Sequence, residues 1–135
     1  MHDQLRQRGK EFGIVFGNRT LLSNSRLALE ASEYARDMGK YESFHKTLLR
    51  TYFTEAHDIG NIDVIRSIAT ACGLDADDLV NVLKDGRYRS RLTEARKAGE
   101  KIDLNGVPTF IINEKHKIVG AQPVEVFKDI FNKMA

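Results

Sequence analysis

The chain has 135 residues, and 21 basic against 19 acidic side chains leave a net charge of +2. That length supports one domain with a modest core, and the near balance of charge gives no strong pull toward nucleic acid or an anionic membrane. One cysteine, Cys72, rules out an internal disulfide framework and fits a reducing, cytoplasmic compartment. No apolar run approaches the ~20 residues that a membrane-spanning helix needs, and the opening MHDQLRQRGKEFG lacks the apolar centre of a signal peptide.

Met1 reads as a start residue, and residues 2–11 are polar and read as the tail end of a helix. Phe12 to Gly17 is a short apolar loop or extended piece between glycines. A helix follows, with Ser23 or Asn24 expected as its N-cap, because a short side-chain oxygen can take an orphan N–H. Leu27, Ala31, Tyr34, Ala35 and Met38 fall at helical spacing along it, and Gly39 is the expected stop. Tyr41, Phe44, Leu48, Leu49, Tyr52 and Phe53 mark a second helix with a wide aromatic face. After a break at Asp58-Ile59-Gly60, Asn61 caps a third helix, whose inner stripe is Ile65, Ile68, Ala69 and Cys72 and whose stop is Gly73. Asp75 caps a fourth through Leu79 and Leu83, closed by Gly86. Arg87 to Ala98 is a fifth, with Tyr88, Leu92 and Ala95 inward and Gly99 at its end.

The pattern changes at Leu104. Pro108 stands directly before Thr109-Phe110-Ile111-Ile112, a β-branched and aromatic run of the kind found in a buried strand. Proline has no N–H to give a sheet, so it belongs at a strand's first position, and Asn105-Gly106 beside it suits a tight turn. Asn113-Glu114-Lys115-His116 is a polar turn, and Lys117-Ile118-Val119-Gly120 returns as a second strand. Pro123 at the first helical position opens a last helix, with Phe127, Ile130, Phe131 and Met134 on one apolar face. The fold class is therefore α+β within this sequence: a helical region over residues 1–103, then a β–β–α unit over residues 104–135.

Gly106-Val107-Pro108-Thr109-Phe110, a hairpin, Gly120-Ala121-Gln122-Pro123 and a terminal helix together resemble the C-terminal part of a thioredoxin fold. In detail they resemble the DsbA-like thiol–disulfide oxidoreductases, most closely the FrnE branch of dithiol–disulfide isomerases. Asn24-Ser25-Arg26-Leu27-Ala28, Phe53, Asp58-Ile59-Gly60 and Gly73-Leu74-Asp75 add landmarks in the same order, so the resemblance runs from about Phe12 to Phe131. It implies an α/β protein in which the helices are an all-helical insertion between the two halves of a thioredoxin fold, with the N-terminal β–α–β half not in this sequence. It also implies that the bond before Pro108 is cis and faces the catalytic cysteines, and that Val107, Pro108 and Thr109 bind substrate, Val107 through its backbone.

The chemistry of that family needs a Cys-x-x-Cys at a helix N-terminus, where one thiol ionises and attacks a disulfide. The sequence holds no such motif, so no catalytic residue is assigned in it. It reads as a truncated member of the family, inactive alone. In the intact protein the implied partner is a polypeptide substrate carrying a thiol or disulfide. Glutathione-dependent isomerases and kappa-class transferases share the layout, with serine in place of the first cysteine, and remain an alternative. So does a non-catalytic module that binds a partner or dimerises. The strand Thr109–Asn113 carries no charge and would lie at a sheet edge, so self-association through it, or through apolar helix faces, is expected.

Other residues have plainer readings. Cys72, on an apolar stripe, reads as a small buried hydrophobe. Arg87, Arg89, Arg91, Arg96, Lys97 and Lys101 read as a solvated helix face, and Asp75, Asp77 and Asp78 as helix N-terminal acids. His2, His45, His57 and His116 lack metal-ligand spacing, no cofactor motif is present, and nothing singles out Glu42, Glu55 or Asp58.

Overall fold

The computed structural model describes residues 2–135. Met1 lies outside the described residues, as does the side chain of His2. Seven helices and two strands follow in order: α1 (His2–Glu11), α2 (Arg26–Asp37), α3 (Tyr41–Phe53), α4 (Ile62–Ala71), α5 (Ala76–Asp85), α6 (Arg89–Lys101), β1 (Thr109–Ile112), β2 (His116–Val119) and α7 (Val124–Met134). They form two compact units, one running to Glu94 and one from Ala95 to Ala135. Helices followed by a β–β–α unit is the order that the hydrophobic periodicity predicts.

The first unit is built around α2, which packs on α3, α4 and α5. Its buried face is lined by Ala28, Ala31 and Ala35, whose small side chains let the neighbouring helices approach closely. Phe44, Ile65 and Leu79 fill the space so made and are fully buried, each worth about 1.5–3 kcal/mol relative to exposure. Met38, Leu49 and Phe53, expected inward, are exposed. Met38 lies past the end of α2, and the other two lie at the rim of a face wider than its partners cover.

The helix ends show where local chemistry decides and where it is overruled. Asn61 accepts the N–H of Asp63 at 2.8 Å, and Asp75 accepts those of Asp77 and Asp78 at 3.0 Å, as N-caps should. At α2 neither expected residue is the cap. Ser25 occupies that position without a side-chain bond. Asn24 instead accepts the Arg26 N–H at 3.0 Å, while the Ser23 hydroxyl accepts the Ile59 N–H at 3.2 Å from a distant loop. Gly73, at φ +72°, takes the left-handed turn that lets Leu74 N–H return to Ala69 C=O at 2.9 Å. The helix expected to stop at Gly99 runs on to Lys101, and Asp103, at φ 51°, makes the left-handed turn. Gly99 has a packing reason instead: a Cβ there would lie 3.1 Å from Leu104 Cδ2.

Tyr88 is buried but precedes α6, Ala95 is exposed, and no side chain of α6 is buried. The first turn of α6 is held by polar contacts. The Arg91 guanidinium makes two bonds to the Asp37 carboxylate (2.9 and 2.8 Å), and the Tyr88 hydroxyl donates a third (2.7 Å). The paired arginine first, and the tyrosine second, hold the Asp37 carboxyl below its ordinary range. Glu30, fully buried on α2, bonds Arg26 at 2.8 Å and has Arg89 at 3.9 Å.

In the second unit β1 and β2 pair antiparallel, with Thr109 opposite Val119 and Ile112 opposite His116. His116 thus belongs to the strand, and the turn is Asn113-Glu114-Lys115, its first two residues at positive φ. Pro123 is the N-cap of α7 and not its first helical residue, because its ψ of 149° is extended. The β1 run is not a buried strand: the sheet has only two strands, and Phe110 and Ile111 keep 40% and 45% exposure. Phe110 meets Phe127 of α7 edge to face at 5.0 Å. Ile118 is the one buried side chain among the described residues of this unit.

Two outcomes follow. Asp75→Ala removes the acceptor for two N–H groups and should cost about 1 kcal/mol in a urea melt. Asp37, with its lowered carboxyl pKa, adds stability that is present above the ordinary carboxylate value and lost as pH falls through the lowered one. Asp37→Asn should therefore flatten the drop in melting temperature that the wild-type chain shows on acidification below about pH 4.

Candidate functional site

The loop between α6 and β1 carries the three residues expected to bind substrate, and the fold pins it on both sides. The Thr109 hydroxyl donates to Gly106 C=O at 2.6 Å, closing a tight turn over Val107 and Pro108. Gly120 N–H donates to Pro108 C=O at 2.7 Å, so the hairpin ladder holds Pro108 at the entrance of β1. The Val107–Pro108 peptide bond is cis. Gly106 is close against β2: a Cβ there would lie 2.9 Å from Val119 Cγ1. On the same unit, Lys117 Nζ donates to the carbonyls of Ile102 and Asp103 at 3.0 and 2.9 Å, and these tie the incoming chain to β2.

Between these anchors Val107 is displayed at 85% exposure. Among the described residues, neither its N–H nor its C=O has a backbone partner. Pro108 is exposed and Thr109 half-buried. The loop therefore offers one free donor and one free acceptor, both backbone, beside an apolar side chain. That set can pair with an extended polypeptide as a strand would. Val107, Pro108 and Thr109 include no thiol.

The remaining candidates lie apart from one another. Cys72 is half-buried at the end of α4, and its thiol donates to Thr47 Oγ1 at 3.6 Å. His45 stacks on Tyr41 with ring centres 5.2 Å apart, and His116 lies in β2. Among the described residues no group of three or more His, Cys, Asp or Glu side chains is placed to hold a metal ion. The basic stretch faces carboxylates: Arg87 meets Asp85, Arg89 meets Glu30, Arg91 meets Asp37 and Glu33, and Arg96 meets Glu100. Of the acids, Glu42 pairs with Lys46 and Glu55 with Arg50. Asp58 accepts the Gly60 N–H at 2.9 Å, and bonds to Ser23 and Gly60 lower its carboxyl pKa. Among the described residues, no helix is long and apolar enough to cross a membrane.

Sequence reasoning missed a cleft of about 440 Å³ between α3 and α4. Thr51, Ile68 and Ala71 are among the residues that line it, and Arg50, Glu55 and His57 also face it. The signal was present: Thr47 and Thr51 on one helix and Ser67 and Ala71 on the other are small residues at i, i+4 spacing, and small residues on facing helices leave a gap.

Comparison with known proteins adds the following. The model of the DSBA-like thioredoxin domain family matches residues 1–132. The uncharacterized protein YwbO of Bacillus subtilis is 32% identical over 103 residues, covering 76% of this chain and 51% of YwbO. The ClpXP adapter protein SpxH of Shouchella clausii is 26% identical over 114 residues, covering 80% of this chain and 38% of SpxH. The crystal structure of a probable DsbA oxidoreductase from Streptomyces coelicolor superposes with a TM-score of 0.82 at 22% identity, over 97% of this chain and 57% of that one. The chain thus spans about half the length, or less, of the curated relatives it matches.

Proposed function

This chain belongs to the DSBA-like thioredoxin domain family, and from that we propose that it is the substrate-facing portion of a thiol–disulfide oxidoreductase of the FrnE type. The proposed activity is protein dithiol–disulfide isomerisation in a reducing, cytoplasmic compartment. The observation that carries the reading is the pinned loop: Val107, displayed between two short anchoring bonds, with its backbone N–H and C=O unpaired.

Disulfide exchange proceeds by thiolate attack on one sulfur of a disulfide. A mixed disulfide forms, the other sulfur leaves as a thiolate, and a second thiol resolves the intermediate. Two thiols are needed, and the 135 residues contain one cysteine, half-buried among helices. The reactive pair in this proposal lies outside these residues. The part played within them is orientation. Val107 pairs with the backbone of an extended substrate and so presents the substrate sulfur in line with an attacking thiolate. Pro108 and Thr109 fix the height and direction of that pairing. Side chains of the substrate are read little, which suits an enzyme acting on many polypeptides.

A second reading has its own support. One cysteine, and likeness to a protein named as an adapter, favour a non-catalytic module that binds a protein partner.

Two measurements test these readings. The chain alone should not raise insulin reduction above the dithiothreitol background, and a clear rate increase would contradict the assignment of the thiol pair to other residues. An S-alkylated, extended cysteine peptide at millimolar concentration should shift the amide resonances of Gly106, Val107 and Thr109. Val107→Ala should bind it as well as the wild type, because only backbone is used, whereas Val107→Pro, which lacks the N–H, should not. Shifts confined to the cleft between α3 and α4 would favour the adapter reading instead.

A further inference from the structure

The cleft between α3 and α4 is walled by residues 47–71, which are two consecutive helices and the loop that joins them. Its floor is largely apolar: Ile68 is buried and Val64 half-buried. One polar group lies in that floor. Thr51 keeps only 6% of its surface, and its hydroxyl makes no hydrogen bond among the described residues. An enclosed hydroxyl gains most from an occupant that can bond it.

Charge is gathered at the end nearest the joining loop. Arg50 bonds Glu55 through Nε at 2.9 Å, and its two terminal guanidinium nitrogens have no partner among the described residues. The loop is folded back to hold this pair: Glu55 N–H donates to Arg50 C=O and His57 N–H to Thr51 C=O, each at 3.0 Å. Asp63, in the first turn of α4, lines the same end, and its carboxylate has no side-chain partner among the described residues.

We propose that this cleft binds a free aliphatic α-amino acid. The two open guanidinium nitrogens of Arg50 suit a carboxylate, which can take both at once. Glu55 and Asp63 suit the ammonium beside it. A branched aliphatic side chain then lies along Val64 and Ile68, where its burial adds to the binding. A ligand with a single charge leaves either the cation or the carboxylates of the mouth without a counterpart, so the zwitterion is favoured over a plain acid or amine. The volume of about 440 Å³ is that of a small-molecule site. The proposal concerns the helical unit and stands without the catalytic reading.

Titration with free L-leucine, followed through the amide resonances, tests it. Those of Thr51, Val64 and Ile68 should shift and saturate at millimolar concentration, while those of Val107 and Thr109 stay in place. Isocaproate, which lacks the ammonium, and isoamylamine, which lacks the carboxylate, should each bind about tenfold more weakly. Arg50 and Asp63 are exposed, so Arg50→Gln and Asp63→Asn should fold, with unchanged helical circular dichroism. Each should weaken leucine binding about tenfold. Absence of saturable shifts in the cleft overturns the proposal. So does binding of isocaproate or isoamylamine as tight as that of leucine, or leucine binding indifferent to both substitutions. The ligand and the resonances differ from those used at Val107, so failure here and failure of peptide binding there are separately visible.

Discussion

Two short hydrogen bonds govern the candidate site: Thr109 hydroxyl to Gly106 C=O, and Gly120 N–H to Pro108 C=O. The first closes the turn, and the second locks the turn to the hairpin. Between them they consume the polar groups on either side of Val107 and leave those of Val107 itself unpaired. A backbone recognition site needs unpaired groups that are nonetheless held still, since freezing a floppy loop would offset the weak gain of each bond. The anchoring meets that need with residues that are individually ordinary.

The two compact units differ in how they are stabilised. The helical unit has a continuous core centred on the alanine face of α2, with Phe44, Ile65, Ile68, Leu79 and Leu83 closed off from water. Its outer contacts, such as Arg91 with Asp37 and Tyr88, add polar clamps around that core. The β–β–α unit buries Ile118 and little else, while Phe110, Ile111, Val119 and Phe131 remain exposed. Apolar surface left in water is a standing drive for association. The candidate loop lies in this less buried unit.

The features legible in advance share one property: they need only a few neighbouring residues. Asn61 and Asp75 cap helices through backbone N–H groups two or three positions away, and Gly39, Gly73 and Gly86 adopt the left-handed turn that ends a helix. The hairpin is readable for the same reason, from strand formers on either side of a polar turn. The misses involve packing that the local pattern does not encode. Ser23 is a good cap in isolation but spends its hydroxyl on Ile59, 36 positions away. Gly99 looks like a helix stop but makes room for Leu104. Leu49 and Phe53 match the helical period, yet both stay exposed, and Phe53 meets Phe16, from the loop before α2, edge to face at 6.1 Å.

At the candidate site the same division holds. Residue types alone place a proline at the head of a strand, a hairpin behind it and no thiol pair in the chain, because proline's missing N–H, β-branching and a cysteine count are local or compositional properties. Which backbone atoms stay free at Val107, which side of β1 faces water, and where α3 and α4 leave a cleft were decided by tertiary structure. Each depends on strand register or on the meeting of two helices, and those are set by the packing of residues that the chain order keeps apart.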